Sequence, residues 1–151
     1  MVDAIKNSIH FFFKDVSSTL RNRKQLKDFI TFLFKTEKRH IESLNYIFCT
    51  DKFVRKINRE YLQHDFYTDV ISFDLSNTPG KIIGDIYISR NRIKENSSRF
   101  KSSISRELHR VIFHGALHLC GYNDKSAIQK KIMKEKENYY LNLYLKMFHV
   151  K

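Results

Sequence analysis

Two histidines four residues apart, a glycine seven residues beyond the first and a carboxylate ten beyond it mark the segment His114-Gly115-Ala116-Leu117-His118-Leu119-Cys120-Gly121-Tyr122-Asn123-Asp124. On an α-helix, positions i and i+4 differ by about 40° around the axis and by roughly 6 Å along it, so His114 and His118 can aim their imidazoles at one point. Gly121 suits the end of that helix, because glycine enters the left-handed conformation at little cost. The chain can then turn back and bring Asp124 to the same point as a third ligand. Three protein ligands leave one position of a tetrahedral metal ion open, which separates a catalytic zinc site from a closed structural one. Open sites of this kind lower the pKa of a bound water toward about 7.

A plainer reading exists. His114 and His118 can be helix-face histidines in ordinary hydrogen bonds, with Asp124 as the N-cap of the next helix. The glycine stop and the hard ligand at the tenth offset favour the metal. The same offsets occur in the ligand frame HExxHxxGxxH of metal-dependent proteases, but Gly115 stands where that frame has its glutamate. Without that carboxylate no general base is evident for peptide hydrolysis.

The histidines need a rigid support, and the pattern around them supplies one. Ile104, Leu108, Val111, Ile112 and Leu119 give a helix from about Ile104 to Leu119 an apolar face. A final helix is expected from about Ala127 to Met147, with Ile128, Ile132, Tyr139 and Leu143 on one stripe. Upstream, Ile9 to Phe13 reads as a short strand before the polar Ser17-Ser18-Thr19. Leu26, Phe29, Ile30 and Leu33 then mark a helix, and Leu44 to Cys49 reads as a second strand. Thr50 or Asp51 can cap a helix carrying Phe53, Val54, Ile57 and Tyr61. Thr68 to Asp74 and Lys81 to Ser89 are β-rich and flank the turn chemistry of Ser76-Asn77-Thr78-Pro79-Gly80, so they are expected to pair as a hairpin. A short basic helical piece follows through Lys94. The result is one α+β domain over 1–151, about four strands with about five helices, the middle strands at the sheet's centre and the metal site at the end of a central helix.

Composition limits the class of function. The chain has 151 residues, with 28 Lys and Arg against 16 Asp and Glu, a net charge of +12 that suits a polyanionic partner. The opening Met1 to Lys6 lacks the pattern of a signal peptide, and no apolar run approaches the roughly 18 residues of a membrane span, so a soluble cytoplasmic protein without a membrane partner is expected. Cys49 and Cys120 are too few for a disulfide framework and are expected to be reduced, half-buried thiols.

The run HGALHLCGYND resembles the HGxLHLxGYDH signature of the YbeY family, metal-dependent endoribonucleases of ribosomal RNA maturation. Two further blocks are similar to it in the same order. Ile57-Asn58-Arg59-Glu60-Tyr61, Asp65 and Thr68 to Phe73 resemble its LNxxYR, D and T(D/N)VLSF elements, and Gly84 to Ser89 resembles its GDIxIS strand. The resemblance implies a metal-bottomed cleft, hydrolysis of single-stranded RNA in 16S rRNA 3′-end maturation and ribosome quality control, and ribosomal RNA and the ribosome as partners, with no role for DNA. It places His114, His118 and Asp124 as ligands of one zinc ion per chain.

Two positions depart from the family's pattern. Asp124 stands where most members have a third histidine, which lowers the formal charge of the site by one and favours harder ions somewhat. Leu62 stands where the family commonly has a functional arginine, and Arg59, one helical turn earlier, is the candidate catalytic substitute. Tyr61, Phe66, Tyr67 and Phe73 can offer stacking faces, but rings at these spacings are read as core. His64 and His109 are read as local hydrogen-bond partners. The alternatives are a ribosome-assembly or RNA-binding module in which the metal merely stabilises the fold, and a metal-dependent hydrolase of another substrate.

Overall fold

A computed structural model describes residues 8–18 and 20–148; the opening Met1 to Lys6 and Thr19 lie outside the described residues. The elements run β1 (Ile9–Phe13), α1 (Arg23–Thr36), β2 (His40–Cys49), α2 (Asp51–Leu62), β3 (Val70–Asp74), β4 (Lys81–Ser89), α3 (Arg90–Arg99), α4 (Ile104–Leu119) and α5 (Ala127–Phe148). The sheet has the order β1-β2-β4-β3. β1, β2 and β4 are parallel, and β3 pairs antiparallel with β4 as the expected hairpin. Of the middle strands, β2 and β4 are central, whereas β3 forms an edge. β2 takes the other side of β4 in parallel, which leaves β3 outermost.

Period-two alternation sends each strand's side chains to two cores of unequal size. Ile41, Leu44, Tyr46 and Phe48 of β2 and Ile82, Ile86 and Ile88 of β4 join the main core with α1, α4 and α5. Cys49 and Ile71 meet Val54 and Ile57 of α2 in the smaller one. Both cysteines are unpaired and fully buried rather than half-buried, and burial pushes both thiols up to about 12.

Glycines at two contact points seat α4 on the sheet. A Cβ at Gly115 would lie 2.8 Å from Ile86 Cγ2 and 3.3 Å from Val70 Cγ2, and one at Gly84 would lie 2.7 Å from Leu119 Cδ1. Ser72 Oγ donates to the Gly115 carbonyl at 3.0 Å. Position 115 therefore faces the sheet, and the missing glutamate of the protease frame has no space there. α4 starts at Ser103, whose hydroxyl accepts from Arg106 N–H at 3.0 Å. It ends in a Schellman turn, with Tyr122 N–H on the Leu117 carbonyl at 3.1 Å and Gly121 N–H on the His118 carbonyl at 3.0 Å. Gly121 has φ +101°, the left-handed region that favours glycine.

Three sequence expectations change. Ile104 is exposed on α4, because the first turn projects past the core that Val111 and Ile112 enter. On α5, Ile128, Ile132 and Tyr139 face solvent, while Met133, Tyr140, Leu141 and Tyr144 are buried. The true stripe lies one residue over and contains Glu137, whose charge disguises the apolar period. Tyr61, Phe66 and Tyr67 are exposed, not core; they sit at the end of α2 and in the connection to β3, which passes outside both apolar clusters.

Candidate metal centre

The Schellman turn brings the three expected ligands together. His114 Nε2 and His118 Nε2 are 3.0 Å apart, and Asp124 Oδ2 lies 3.4 Å from each. A tetrahedral ion with bonds of roughly 2.0–2.1 Å separates its ligand atoms by about 3.3–3.4 Å, so the two carboxylate spacings fit such an ion and the histidine pair need open by only about 0.3 Å. Asp124 is not a helix cap. That role belongs to Ser126, whose hydroxyl accepts from Gln129 N–H while Gln129 Oε1 accepts from Ser126 N–H, both at 3.1 Å.

The partners of the other ring nitrogens fix which atoms face inward. His114 Nδ1 lies 3.0 Å from Glu137 Oε2, and His118 Nδ1 lies 2.9 Å from the Tyr122 carbonyl oxygen. Both partners are acceptors, which assigns each Nδ1 as the donor, so the neutral form of each ring turns a bare Nε2 lone pair inward. Burial, followed by the neighbouring His114, pushes the His118 pKa down and favours that neutral form. Two imidazole nitrogens and a carboxylate oxygen thus converge, an arrangement that a cation can bridge.

Outer residues hold the ligands in place. Burial alone would raise the Glu137 carboxyl, but the His114 hydrogen bond and the Arg110 guanidinium outweigh it and hold it below the usual carboxylate range. Arg110 Nη1 donates to Glu137 at 2.7 Å, Nη2 and Nε contact Glu107 at 2.6 and 3.0 Å, and Nη2 reaches Asp69 at 3.3 Å. Burial opposes the charge on Arg110, yet its carboxylate partners raise the pKa above the ordinary arginine value. On the other side Glu37 accepts from Tyr122 at 2.6 Å, from Lys136 at 3.3 Å and from Tyr140, which secures the turn between His118 and Asp124.

Sequence reasoning missed Glu137, Arg110, Asp69 and Glu37. A signal existed for Glu137, a charged residue on the stripe Met133, Tyr140, Leu141 and Tyr144, since a core position given to a carboxylate implies a fixed partner. Outer carboxylates of metal-ligating histidines typically contribute ten- to hundredfold in affinity. Glu137→Gln is accordingly expected to weaken divalent-metal binding by about 10–100-fold in a chelator competition. Unchanged affinity would show that Glu137 does not tune His114.

The expected catalytic residue Arg59 lies on α2. Its side chain is 56% exposed, with Nη1 3.9 Å from Asp65 Oδ1. Leu62, where the family commonly has its arginine, is also exposed. His109 is a buried partner of the Ser105 carbonyl at 2.7 Å, as expected, whereas exposed His64 stacks on Phe66.

The model of the family described as Endoribonuclease YbeY matches residues 9–145. Among curated relatives, an Endoribonuclease YbeY of Cytophaga hutchinsonii is 45% identical over 138 residues, covering 91% of this chain and 96% of the relative. One of Christiangramia forsetii is 40% identical over 134 residues, covering 88% and 92%. A Thermotoga maritima protein solved in solution shares the fold, with a TM-score of 0.62 at 24% identity over 93% of this chain and 91% of that one.

Proposed function

The chain belongs to the YbeY family, and on that premise we propose that it is a metal-dependent endoribonuclease cutting single-stranded RNA, acting on the 3′ end of 16S rRNA and in ribosome quality control. The observation that carries the metal dependence is the convergence of His114 Nε2, His118 Nε2 and Asp124 Oδ2. One zinc ion per chain suits two imidazoles and a carboxylate. When bound there, a divalent ion acts as a Lewis acid on a phosphodiester and makes water more acidic.

The chain's own residues do the rest. Glu137 and the Tyr122 carbonyl keep the ligating rings in one tautomer and orientation. Arg59, on an exposed helix face, is the cation assigned to the charge that develops on phosphorus in the transition state. The net charge of +12 draws an RNA strand to the surface. A ribosomal substrate implies cytoplasmic work, and no helix among the described residues is long and apolar enough to cross a membrane. Peptide hydrolysis finds no support, because Gly115 has no room for the glutamate of that chemistry.

Metal content and cleavage of a labelled single-stranded rRNA fragment, measured on the same samples of wild type, Asp124→Ala and Arg59→Ala, test this reading. Wild type is expected to carry about one metal per chain. Asp124→Ala should lose metal and cleavage together, by at least the 10–100-fold (about) seen for outer-shell losses. Arg59→Ala should keep its metal and lose roughly a hundredfold in rate. Stoichiometric metal in a protein that never cuts RNA would move the assignment to an assembly module.

A further inference from the structure

Between α2 and β3 the chain displays aromatic rings that neither core uses. Phe66 is 55% exposed, Tyr61 67% and Tyr67 40%. Phe66 stacks on His64 with ring centroids 5.3 Å apart and an interplanar angle of 19°. The Arg55 and Arg92 guanidinium carbons lie 4.8 and 4.9 Å from the Tyr67 centroid, and Arg55 Nη1 donates to the Tyr67 hydroxyl at 3.2 Å.

The connection is held in this form from within. Asn58 is buried, and its side-chain amide donates to the Phe66 carbonyl at 3.1 Å while its own carbonyl accepts from His64 N–H at 3.2 Å. Asp65 is tied to Arg55 at 2.9 Å and faces Arg59 at 3.9 Å, so its one carboxylate meets two guanidinium groups. Rings displayed on a fixed backbone lose little freedom when a ligand covers them.

The segment that carries the platform runs on into residues that support the metal centre. Asp69, two residues after Tyr67, contacts Arg110 at 3.3 Å, and Arg110 holds Glu137, the partner of His114. Val70 lies against Gly115, the residue after His114.

We propose that His64, Phe66 and the arginine-backed Tyr67 form a base-stacking platform for the single-stranded RNA that enters the metal centre. This rests on the ribonuclease reading above and adds how the strand is gripped. Exposed rings and guanidinium planes stack on nucleobases whatever their sequence, and splayed single strands offer base faces that a duplex hides. A protein-docking site would need a continuous apolar patch, whereas here Gln63, His64 and Asp65 precede the rings and arginines flank them.

The chain has no tryptophan, so Phe66→Trp supplies a single emitter at the platform. The metal-loaded variant is mixed by stopped flow with an eight-nucleotide single strand, over concentrations spanning its own KM for cleavage of that strand. Stacking predicts quenching that saturates with that KM, and no quenching by an abasic strand of equal length. Phe66→Ala is expected to raise KM by about 5- to 150-fold, the range for loss of one stacked base, with kcat and metal content unchanged. Constant emission through the KM range, or an unchanged KM in Phe66→Ala, overturns the platform and leaves the rings to a protein partner. Saturating quenching by single-stranded RNAs, none of which the metal-loaded wild type cuts, overturns the ribonuclease reading and leaves the platform standing.

Discussion

His118→Ala is expected to lose stoichiometric metal and to cut RNA at least about 10³-fold more slowly than wild type, while the metal-free protein melts close to metal-free wild type. Lewis-acid stabilisation contributes several kcal/mol in a transition state, and at 1.36 kcal/mol per decade its loss reaches roughly that factor. His118 is the ligand to choose because its removal disturbs least else. Its Nδ1 proton goes to the Tyr122 carbonyl, in a half-exposed turn where water can replace it. His114, by contrast, is the hydrogen-bond partner of buried Glu137. The same samples melted with and without a chelator check the assignment, since an ion bound only by the folded chain raises wild-type stability by mass action. A chelator-induced drop in wild type that is absent in the variant is the expected pattern. Full cleavage by a metal-free His118→Ala would remove the ion from the reaction.

How much of this the sequence disclosed depends on how local each signal is. His114, His118, Gly121 and Asp124 were legible because a helix and a single glycine turn relate them, and eleven consecutive residues hold the whole relation. Strands and caps were legible for the same reason. Thr50, for example, accepts from the Phe53 N–H three residues on. The outer shell was not legible, because it is assembled across the fold. Arg110 of α4 meets Asp69 from before β3 and Glu137 of α5, and no sequence spacing announces such meetings. The stripe of α5 failed for a related reason. A buried glutamate is favourable only beside its guanidinium, and a pattern that counts apolar residues passes over it. The exposed rings failed oppositely, since Tyr61 and Phe66 have core chemistry but lie where the chain leaves α2.

Arg110→Met is expected to destabilise the metal-free protein by about 3–5 kcal/mol at neutral pH, the cost of removing one partner from a buried ion network. For a chain of this size that is a fall in Tm of roughly 6–20 °C. The guanidinium lies against Glu107, Glu137 and Asp69, whose side chains are 5%, 9% and 26% exposed. Methionine fills similar volume and leaves three carboxylates facing one another. The pH dependence separates this cause from lost packing. In wild type the Glu137 pKa is lowered, so its contribution is present above the unfolded carboxylate pKa and lost as pH falls through the folded value. In the variant the arginine's share of that lowering is gone while burial and the His114 hydrogen bond remain, so the Glu137 pKa moves up toward the unfolded value. Its ionised form then contributes less at neutral pH, and less of that contribution is left to lose as pH falls. Both changes shrink the gap between the two proteins on acidification, whereas a packing defect would keep it constant. Melting both proteins in chelator at neutral pH and near about pH 3.5, inside the carboxylate range, measures that gap directly. A gap that does not narrow would mean that Arg110 acts there through packing rather than charge.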